Sequence, residues 1–529
     1  MDDQRQKILD RGSYFPGDWV RPRSNPGTWM AMVDVMEVFS GHRSTTSAGT
    51  YELFDAPIGV KLRVEEANRS EPFLVPEEEW ELGRDVHPYH VWQEDGKLRM
   101  TYGSGDLNCY AISDDGYHWE RPVVGEVEFN GSTDNNILEA GMQGSIIEDP
   151  SAPPAERFKS LGAEGFWLDR DTGEVVDGDE AHEHWQAEQY QGEAYTGRKV
   201  ALKGAMVGYT SPDRLRWTKI EEPLANYSVN GGLCPGYDAA SGTYFAYIQP
   251  QGCAPDEPVA LGTGIIETEV VRRSVGLTRT KDFRHWPAAK LLVHPDAQDP
   301  LDISFYGAAY SPYPGRQDLH TMILPVFHMV TDTLDLQLAF SRDGIVWTRP
   351  ERRAVLSVGP RGSGEECQLH PWRNGLVELP DGNWALSYQA RSSNHTTPEE
   401  YKSEMFPEMQ ESQIRWARWR PHRMCGMEAE TEGRFTIPTV YRLENELRLN
   451  YRCAPGGWIE IELIRYIPTM MAVDANALEG FTFEECDRLV GDEEDQVVTW
   501  KGDSDISGVG EMAAIRVRMF QAKLFAYKL

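Results

Sequence analysis

The chain has 529 residues, 40% of them hydrophobic, with 84 acidic against 52 basic side chains and a formal charge of -32. Such a length holds two or three domains whose cores need no metal or disulfide staple. The acidic balance excludes a basic nucleic-acid groove and an anionic membrane surface as partners, and no apolar run is long enough to span a bilayer.

Residues 1–55 are mixed in character and read as an extension with a short helix at 4–10. They carry no basic segment leading into an apolar run, so no signal peptide is expected and the cytoplasm is the expected compartment. The seven cysteines are scattered and never spaced CxxC, which fits a reducing compartment without structural zinc. Residues 56–425 are expected to form one repeating β domain. Four copies of one element mark it: Ser113-Asp114-Asp115-Gly116-Tyr117-His118-Trp119, Ser211-Pro212-Asp213-Arg214-Leu215-Arg216-Trp217, Thr280-Lys281-Asp282-Phe283-Arg284-His285-Trp286 and Ser341-Arg342-Asp343-Gly344-Ile345-Val346-Trp347. Each follows an alternating, strand-like run (LRMTYG, GAMVGYT, RRSVGLT, LQLAFS). The residue types are those of a tight hairpin: Ser and Asp side chains satisfy turn amides, Gly takes a positive φ, and Trp returns to pack.

A fifth unit is expected at 370–420, with strands Gly375–Leu379, Trp384–Gln389 and Ile414–Arg418 about an Asp381-Gly382 turn. The stretches 150–200 and 391–412 read as charged loops, and no long helix is required anywhere. Across 432–529 six short strands are expected: Phe435–Tyr441, Glu446–Tyr451, Trp458–Leu463, Val497–Trp500, Ala514–Met519 and Lys523–Tyr527. They suit a β-sandwich. The expected fold class is therefore all-β, a five-bladed β-propeller followed by a β-sandwich. Closing the ring removes the sheet edges. A pair of sheets, or six blades with the amino end contributing one, are the alternatives.

This layout resembles the five-bladed propeller glycoside hydrolases, the invertase and fructanase family with its arabinanase relatives. It is more closely similar to a bacterial set in which such a propeller precedes a β-sandwich. The likeness is carried by Phe435-Thr436-Ile437-Pro438, Leu447-Arg448-Leu449-Asn450, Gly480-Phe481 leading to Cys486, Gly491-Asp492, Trp500 and Lys523-Leu524-Phe525-Ala526-Tyr527. The resemblance implies three acids in a central cavity: a nucleophile on the first blade, a transition-state-stabilising Asp on the second and an acid/base Glu on a later one. The family's Asn-Asp-Pro-Asn nucleophile motif is absent, and Asp85 in Gly83-Arg84-Asp85-Val86-His87 is the positional substitute. Asp149 in Glu148-Asp149-Pro150 resembles the family's Arg-Asp-Pro motif with Glu in place of Arg. Glu366 in Glu365-Glu366-Cys367 resembles its Glu-Cys motif.

Cleaving a glycosidic bond needs a proton for the leaving oxygen and negative charge beside the developing cation; carboxylates about 5–5.5 Å apart suit retention and ~6.5–9.5 Å inversion. Paired carboxylates also split their pKa values, so that one serves as acid while the other stays charged. In a propeller the acids should stand at the starts of inner strands. Asp85, Asp149 and Asp302, the last in Asp302-Ile303-Ser304-Phe305-Tyr306-Gly307, are read there. Of Glu365 and Glu366, at most one faces the cavity. His87, His320 and His370 are candidates for binding sugar hydroxyls or an acid, while His90 shares the face of His87 only imperfectly. Trp92, Tyr306 and Trp372 are candidate sugar-stacking aromatics. Asp238 is a further candidate, although the turn after it reads as structural. The plain alternatives are a turn Asp149 paired with Arg157, a solvated loop acid at 85, a loop cap at 302 and core packing for the aromatics.

Phosphate-loop, dinucleotide, zinc-protease and nucleophile-elbow motifs are absent. No cofactor is expected, and Asp296, Asp299 and Asp302 lack EF-hand spacing, with a structural cation in the channel left open. The expected function is a glycoside hydrolase acting on a furanoside or small oligosaccharide, with a fructoside or arabinofuranoside first on the resemblance. The expected partner is carbohydrate, and the oligomeric state is unread. One alternative is a non-catalytic carbohydrate-binding propeller. Another is a lyase or sugar-acid enzyme with a His or Tyr base, for which Arg84 and Arg373 are the cues.

Overall fold

A computed structural model describes residues 28–45, 49, 51–139, 145–225, 229, 233–249, 272–316, 318–372, 375–396, 412–442, 444–465, 477–510 and 512–529. The helix expected at 4–10, residues 397–411 of the expected second loop, Cys253 and Arg373 lie outside them. The described chain is all-β apart from one α-helix and short 3-10 turns, and its multiple sheets are consistent with propeller and sandwich types of architecture. It divides into two compact units: Glu66–Arg418, and the described residues up to Glu65 together with Trp419–Leu529.

The larger unit runs as successive antiparallel meanders. The first sheet is Val86–Glu94, Lys97–Ser104, Leu107–Ser113 and Ile137–Leu138. The second is Ile147–Glu148, Phe158–Asp169, Val200–Ser211 and Thr218–Lys219, and the third is Cys234–Asp238, Thr243–Ile248, Val275–Thr280 and Lys290–Val293. A fourth meander from Ile303–Phe305 to Trp347–Thr348 and a fifth from Gln368–His370 to Gln413–Trp419 share one larger sheet, joined by a parallel pairing of Leu334 with Gln368. Asn68–Arg69, ahead of the first meander, pairs with Gln413–Trp419 and so completes the last.

Apolar alternation in the strands turns one face of each sheet onto its neighbour. Tyr89, Tyr110, Phe158 and Tyr209 pack the first meander on the second. Leu161, Met206, Tyr244 and Trp286 pack the second on the third, and Tyr247, Val275, Phe305 and Met322 the third on the fourth. Val86, Met100, Ala385 and Trp416 pack the fifth on the first.

The four repeated elements form the expected hairpins. In the last, Ser341 Oγ accepts from the Gly344 amide at 2.9 Å, Asp343 Oδ1 accepts from the Ile345 and Val346 amides at 2.8 Å each, and Trp347 Nε1 donates to the Gly344 carbonyl at 3.2 Å. The same Trp bond closes the other three, to Gly116 at 2.9 Å, Arg214 at 2.8 Å and Phe283 at 2.7 Å. Gly116, Arg214 and Gly344 all have φ between 69° and 84°. Arg214 takes this left-handed place without being glycine, because its side chain is held by Glu94 at 2.7 Å and Glu148 at 3.0 Å and lies 3.9 Å above the Phe158 ring. Asp343→Ala removes two turn acceptors and is expected to cost about 1–2 kcal/mol. A urea titration checks this, and an unchanged midpoint would show that the turn amides are served by water instead.

Residues 150–200 depart from the expected loop. Phe158–Asp169 and Val200–Ser211 pair along their whole length, and Gly178–Gln191 between them is an α-helix. Asp177 caps the helix, accepting from the Asp179 and Glu180 amides. Val176, Ala181 and Val200 form a small core with Trp167 and Trp185. With so few apolar residues, the helix has a charge-rich composition that reads as loop, and its packing onto the hairpin is tertiary. The expected strand Gly375–Leu379 also changes: Gln368–His370 pairs ahead of it, and only Val377–Glu378 of the expected span is strand.

In the smaller unit the strands expected to be separate are continuous. Cys425–Tyr441, Arg448–Arg465 and Met512–Lys528 are long and lie in one sheet with Lys61–Val64, Asp492–Val497 and Met30–Ala31. The breaks read as turns are bulges. Between Cys453 and Trp458 the register shifts, and a Cβ on Gly457 would run into the Gln521 carbonyl, so glycine lets the two backbones approach. Of Val497–Trp500, only Val497 is strand, while Trp500 bridges to Cys486 and Asp503. The core holds Phe435, Ile461, Val517 and Tyr527.

Candidate functional site

Three leading strands of the larger unit are irregular. In Val86–Glu94 the register shifts between Pro88 and His90, which makes Tyr89 an extra residue. In the fourth meander Gly307, at φ 90°, separates Ile303–Phe305 from Ala309–Pro312. In the fifth, Trp372 at φ 50° ends the run after Gln368–His370. A regular strand would send alternate side chains into the sheet packing. These breaks re-aim Tyr306 and Trp372, the latter packing partly buried against the core between the first and second meanders.

The result is a continuous band of rings from three meanders. The His87 ring stacks on Trp372 at 4.0 Å and meets Tyr89 edge-on at 4.8 Å. Trp372 lies 4.9 Å from His370, and its amide donates to His370 Nδ1 at 2.8 Å. His370 meets the edge of Tyr306 at 6.0 Å, and the Tyr306 hydroxyl is hydrogen-bonded to His395 Nε2. Trp372 Nε1 donates to Gln389 Oε1 at 3.0 Å, and Gln389 Nε2 to the Val86 carbonyl at 3.0 Å, which ties the fifth meander to the first. Gly103 makes room for His87, since a Cβ there would run into the imidazole. Four of the residues expected to bind substrate, His87, Tyr306, His370 and Trp372, are therefore brought together.

Acids stand just ahead of the same leading strands. Asp85 precedes the first leading strand, half-buried, with Arg391 at 2.8 Å. Glu366 Oε1 accepts from the Gly362 amide, while its Oε2 is buried without a hydrogen-bond partner among the described residues. Burial first, then Glu366 and Asp332, push the Cys367 thiol up to about 11. The neighbouring Glu365 is the structural member of the pair: Arg69 lies 2.8 Å from its Oε1, and Tyr388 donates to its Oε2 at 2.9 Å. Asp302 directly precedes Ile303–Phe305 and acts on His328, whose pKa is raised chiefly by its hydrogen bond to Asp335 at 3.0 Å. Burial and Asp332 raise the Tyr306 phenol against the opposing charge of Arg273.

The other expected residues lie elsewhere. A cavity of about 710 Å³ is lined by Asp238 and His320 together with His90, Tyr237, Tyr310 and Arg279. Asp343 and Gly344 of the fourth hairpin also line it, which puts the cavity toward the hairpin-turn ends of the strands. There Tyr310 and His320 Nδ1 are hydrogen-bonded at 2.9 Å, and burial lowers the His320 pKa. Asp238 ends its strand and holds its own turn through the Ala240 amide at 3.0 Å and the Ser241 hydroxyl. Trp92 is core, packed with Tyr89 and Tyr110 beneath the Arg214 guanidinium.

Asp149 stands after Ile147–Glu148, at the end of that strand rather than at the expected start. Its carboxylate, 2% exposed, accepts from the Tyr244 hydroxyl, the Ser151 amide at 2.9 Å, the Ser151 hydroxyl at 2.6 Å and Lys159 at 3.4 Å. Arg157, the expected partner, pairs with Glu148 instead. Burial opposes ionisation of Asp149, but these donors win and lower its pKa from 3.8 to about 2. A carboxyl depressed by folding stabilises the native state above its unfolded pKa, and the effect fades as pH falls through the folded value. Asp149→Asn should therefore flatten the loss of stability between about pH 4 and pH 2. Denaturation midpoints across that window check this, and parallel curves for the two proteins would refute it.

Sequence reading missed Arg273, Asp332, Arg391 and His395. Of these only Arg273 carried a local signal, since it opens the alternating run RRSVGLT. Among the described residues no three His, Cys, Asp or Glu side chains group as a metal site, and no helix is long and apolar enough to cross a membrane.

No family model matches the chain, and no curated protein does. Solved structures do. A glycosyl hydrolase from Bacteroides ovatus is 13% identical, with a TM-score of 0.36 over 68% of this chain and 94% of that one. A thermostable family-43 glycoside hydrolase is 12% identical, with a TM-score of 0.39 over 65% of this chain and 92% of that one. An endo-arabinase from Bacteroides thetaiotaomicron VPI-5482 is 11% identical, with a TM-score of 0.36 over 66% and 96%. The chain thus resembles several distantly related carbohydrate-active proteins in structure, at identities too low to assign a family. A likeness this distant carries no argument about activity.

Proposed function

We propose that residues 66–418 form a five-bladed propeller and that the ring band is the active site of a glycoside hydrolase. The cycle of packing, with the fifth meander against the first and Asn68–Arg69 completing the last, supports the propeller reading. One observation carries the function: His87, Tyr306, His370 and Trp372, from meanders far apart in sequence, meet in one band, and Asp85 and Glu366 stand just ahead of two of its strands. Aromatic faces pack on the apolar face of a sugar ring, histidines hydrogen-bond its hydroxyls, and two carboxylates supply the acid and the opposing charge. In this reading Asp85, with Arg391 at 2.8 Å, is the carboxylate facing the developing cation. Glu366, with one oxygen unengaged, gives the proton. A furanoside or small oligosaccharide is the first substrate class to screen. Aryl furanosides, aryl pyranosides and fructo-oligosaccharides test it, and turnover lost in the Asp85 and Glu366 variants is the supporting result.

A second reading is favoured by the Tyr306–His395 pair beneath Arg273. That arrangement suits abstraction of a proton next to a sugar carboxylate, with elimination instead of hydrolysis. An ultraviolet-absorbing unsaturated product, with no reducing end formed by water addition, would select it.

A further inference from the structure

We propose that Arg273 binds the carboxylate of an acidic sugar, so that the glycan taken by the ring band carries a uronate. This rests on the site proposed above and names its substrate class. The Arg273 carbonyl accepts from the Phe305 amide at 2.9 Å, which fixes its backbone beside the leading strand of the fourth meander. Its guanidinium carbon lies 4.1 Å from the centre of the Tyr306 ring and 5.9 Å from that of Phe327. Stacking of this kind uses the face of the guanidinium and leaves its N–H edge for an acceptor in the plane.

That edge is unmatched. Among the described residues Arg273 Nη1 is buried without a hydrogen-bond partner, and no carboxylate pairs with the side chain. Elsewhere Arg391 pairs with Asp85 at 2.8 Å and Arg349 with Asp299 at 2.5 Å, while the adjacent Arg272 donates to the Ile303 and Leu301 carbonyls. Asp332, the acid that acts on Tyr306, accepts at Oδ2 from the Thr396 amide at 3.0 Å and hydroxyl at 2.5 Å, while its Oδ1 is buried without a hydrogen-bond partner among the described residues.

A second unmatched group lies at the same end of the third sheet. Ile248 pairs with Gly276, so Gln249 and Arg273 both lie beyond that pair toward one end. Gln249 is 1% exposed, and neither its Oε1 nor its Nε2 has a partner among the described residues. Buried polar groups are ordinarily satisfied, so the open Arg273 donor against Tyr306 marks where a ligand supplies an acceptor, with the Gln249 amide open at the same end of the sheet. A planar carboxylate fits the guanidinium fork in two parallel bonds, whereas a sugar hydroxyl offers one oxygen without charge.

Calorimetry reads binding without turnover. The ligands are trigalacturonate, trimannuronate and a glucuronate-containing disaccharide, each beside its carboxyl-methyl ester, and a sulfated neutral disaccharide. At least one free acid should bind about ten- to hundredfold more tightly than its own ester. R273Q should erase that difference, while R273K keeps part of it and serves alone if R273Q does not fold. Equal binding of acid and ester, no binding of any uronate, tightest binding of the sulfated sugar, or a preference that survives in R273Q would each overturn the proposal. A uronate preference without turnover leaves the anchor standing and removes the hydrolase reading. Turnover of neutral glycosides without the preference does the reverse.

Discussion

Asp85→Asn and Glu366→Gln are each expected to lower turnover by about a hundredfold to ten-thousandfold, the range lost when a positioned acid or base is removed. Both replacements keep shape and remove only the ionisable oxygen, so circular dichroism should be unchanged. Asp149→Asn is the informative control. Its carboxylate is spent on Tyr244, Ser151 and Lys159, so turnover should hold while stability falls. If Asp149→Asn instead abolishes turnover and the other two keep it, the site lies at the second meander and the ring band is structural. Steady-state kinetics on whichever glycoside the screen identifies decides between these outcomes.

Glu81→Ala is expected to be the most damaging single change to the fold, at about 3–5 kcal/mol, because it removes the buried carboxylate partner of Arg121 and leaves that guanidinium to the exposed Glu77. Glu81 is 0% exposed. It accepts from the Tyr102 hydroxyl at 2.5 Å, from Arg121 Nε and Nη2 at 2.9 Å each, and from the Glu77 amide at 3.0 Å. Arg121 is anchored further by Glu77 at 3.0 Å and the Val75 carbonyl at 2.8 Å, so it cannot follow the lost charge into water without disturbing the loop ahead of the first sheet. The double change Glu81→Leu with Arg121→Met should be milder than Glu81→Ala, since it removes both charges together. Urea midpoints of the single and double variants test this. A double variant as unstable as the single would show that packing around Tyr102, rather than the unpaired charge, sets the cost.

The two predictions differ in how far sequence leads to them. Asp85 was singled out as the positional substitute for the missing nucleophile motif because it stands directly before an aromatic-rich strand, which is a local signal. Glu366 came from a short motif, and the structure separates it from Glu365 by partners drawn from distant strands, Arg69 and Tyr388. Glu81 was not singled out at all. Its importance depends on Tyr102 and Arg121 converging on it, and nothing in its neighbourhood, Glu77-Glu78-Glu79-Trp80-Glu81, distinguishes one acid from the next. Asp149 shows the opposite error. A dipeptide before proline reads the same at either end of a strand, and only the pairing of Glu148 with Phe158 shows which end it occupies.

By itself the sequence determined the repeated hairpins, their Asp and Ser acceptors and returning Trp, the alternation that makes the chain all-β, and the change of texture near residue 432. These are decided within a few residues, where side-chain hydrogen bonds and turn geometry act on their own neighbours. Tertiary structure alone decided the helix at Gly178–Gln191, the fusion of short strands into long bulged ones, and the ring band itself. Tyr306 and Trp372 meet their partners because two strands break at positive φ. Arg273 stacks on Tyr306 because one sheet packs against the next. Such contacts join residues scores of positions apart, and their energies appear only once the sheets have assembled, so no local pattern in the chain records them.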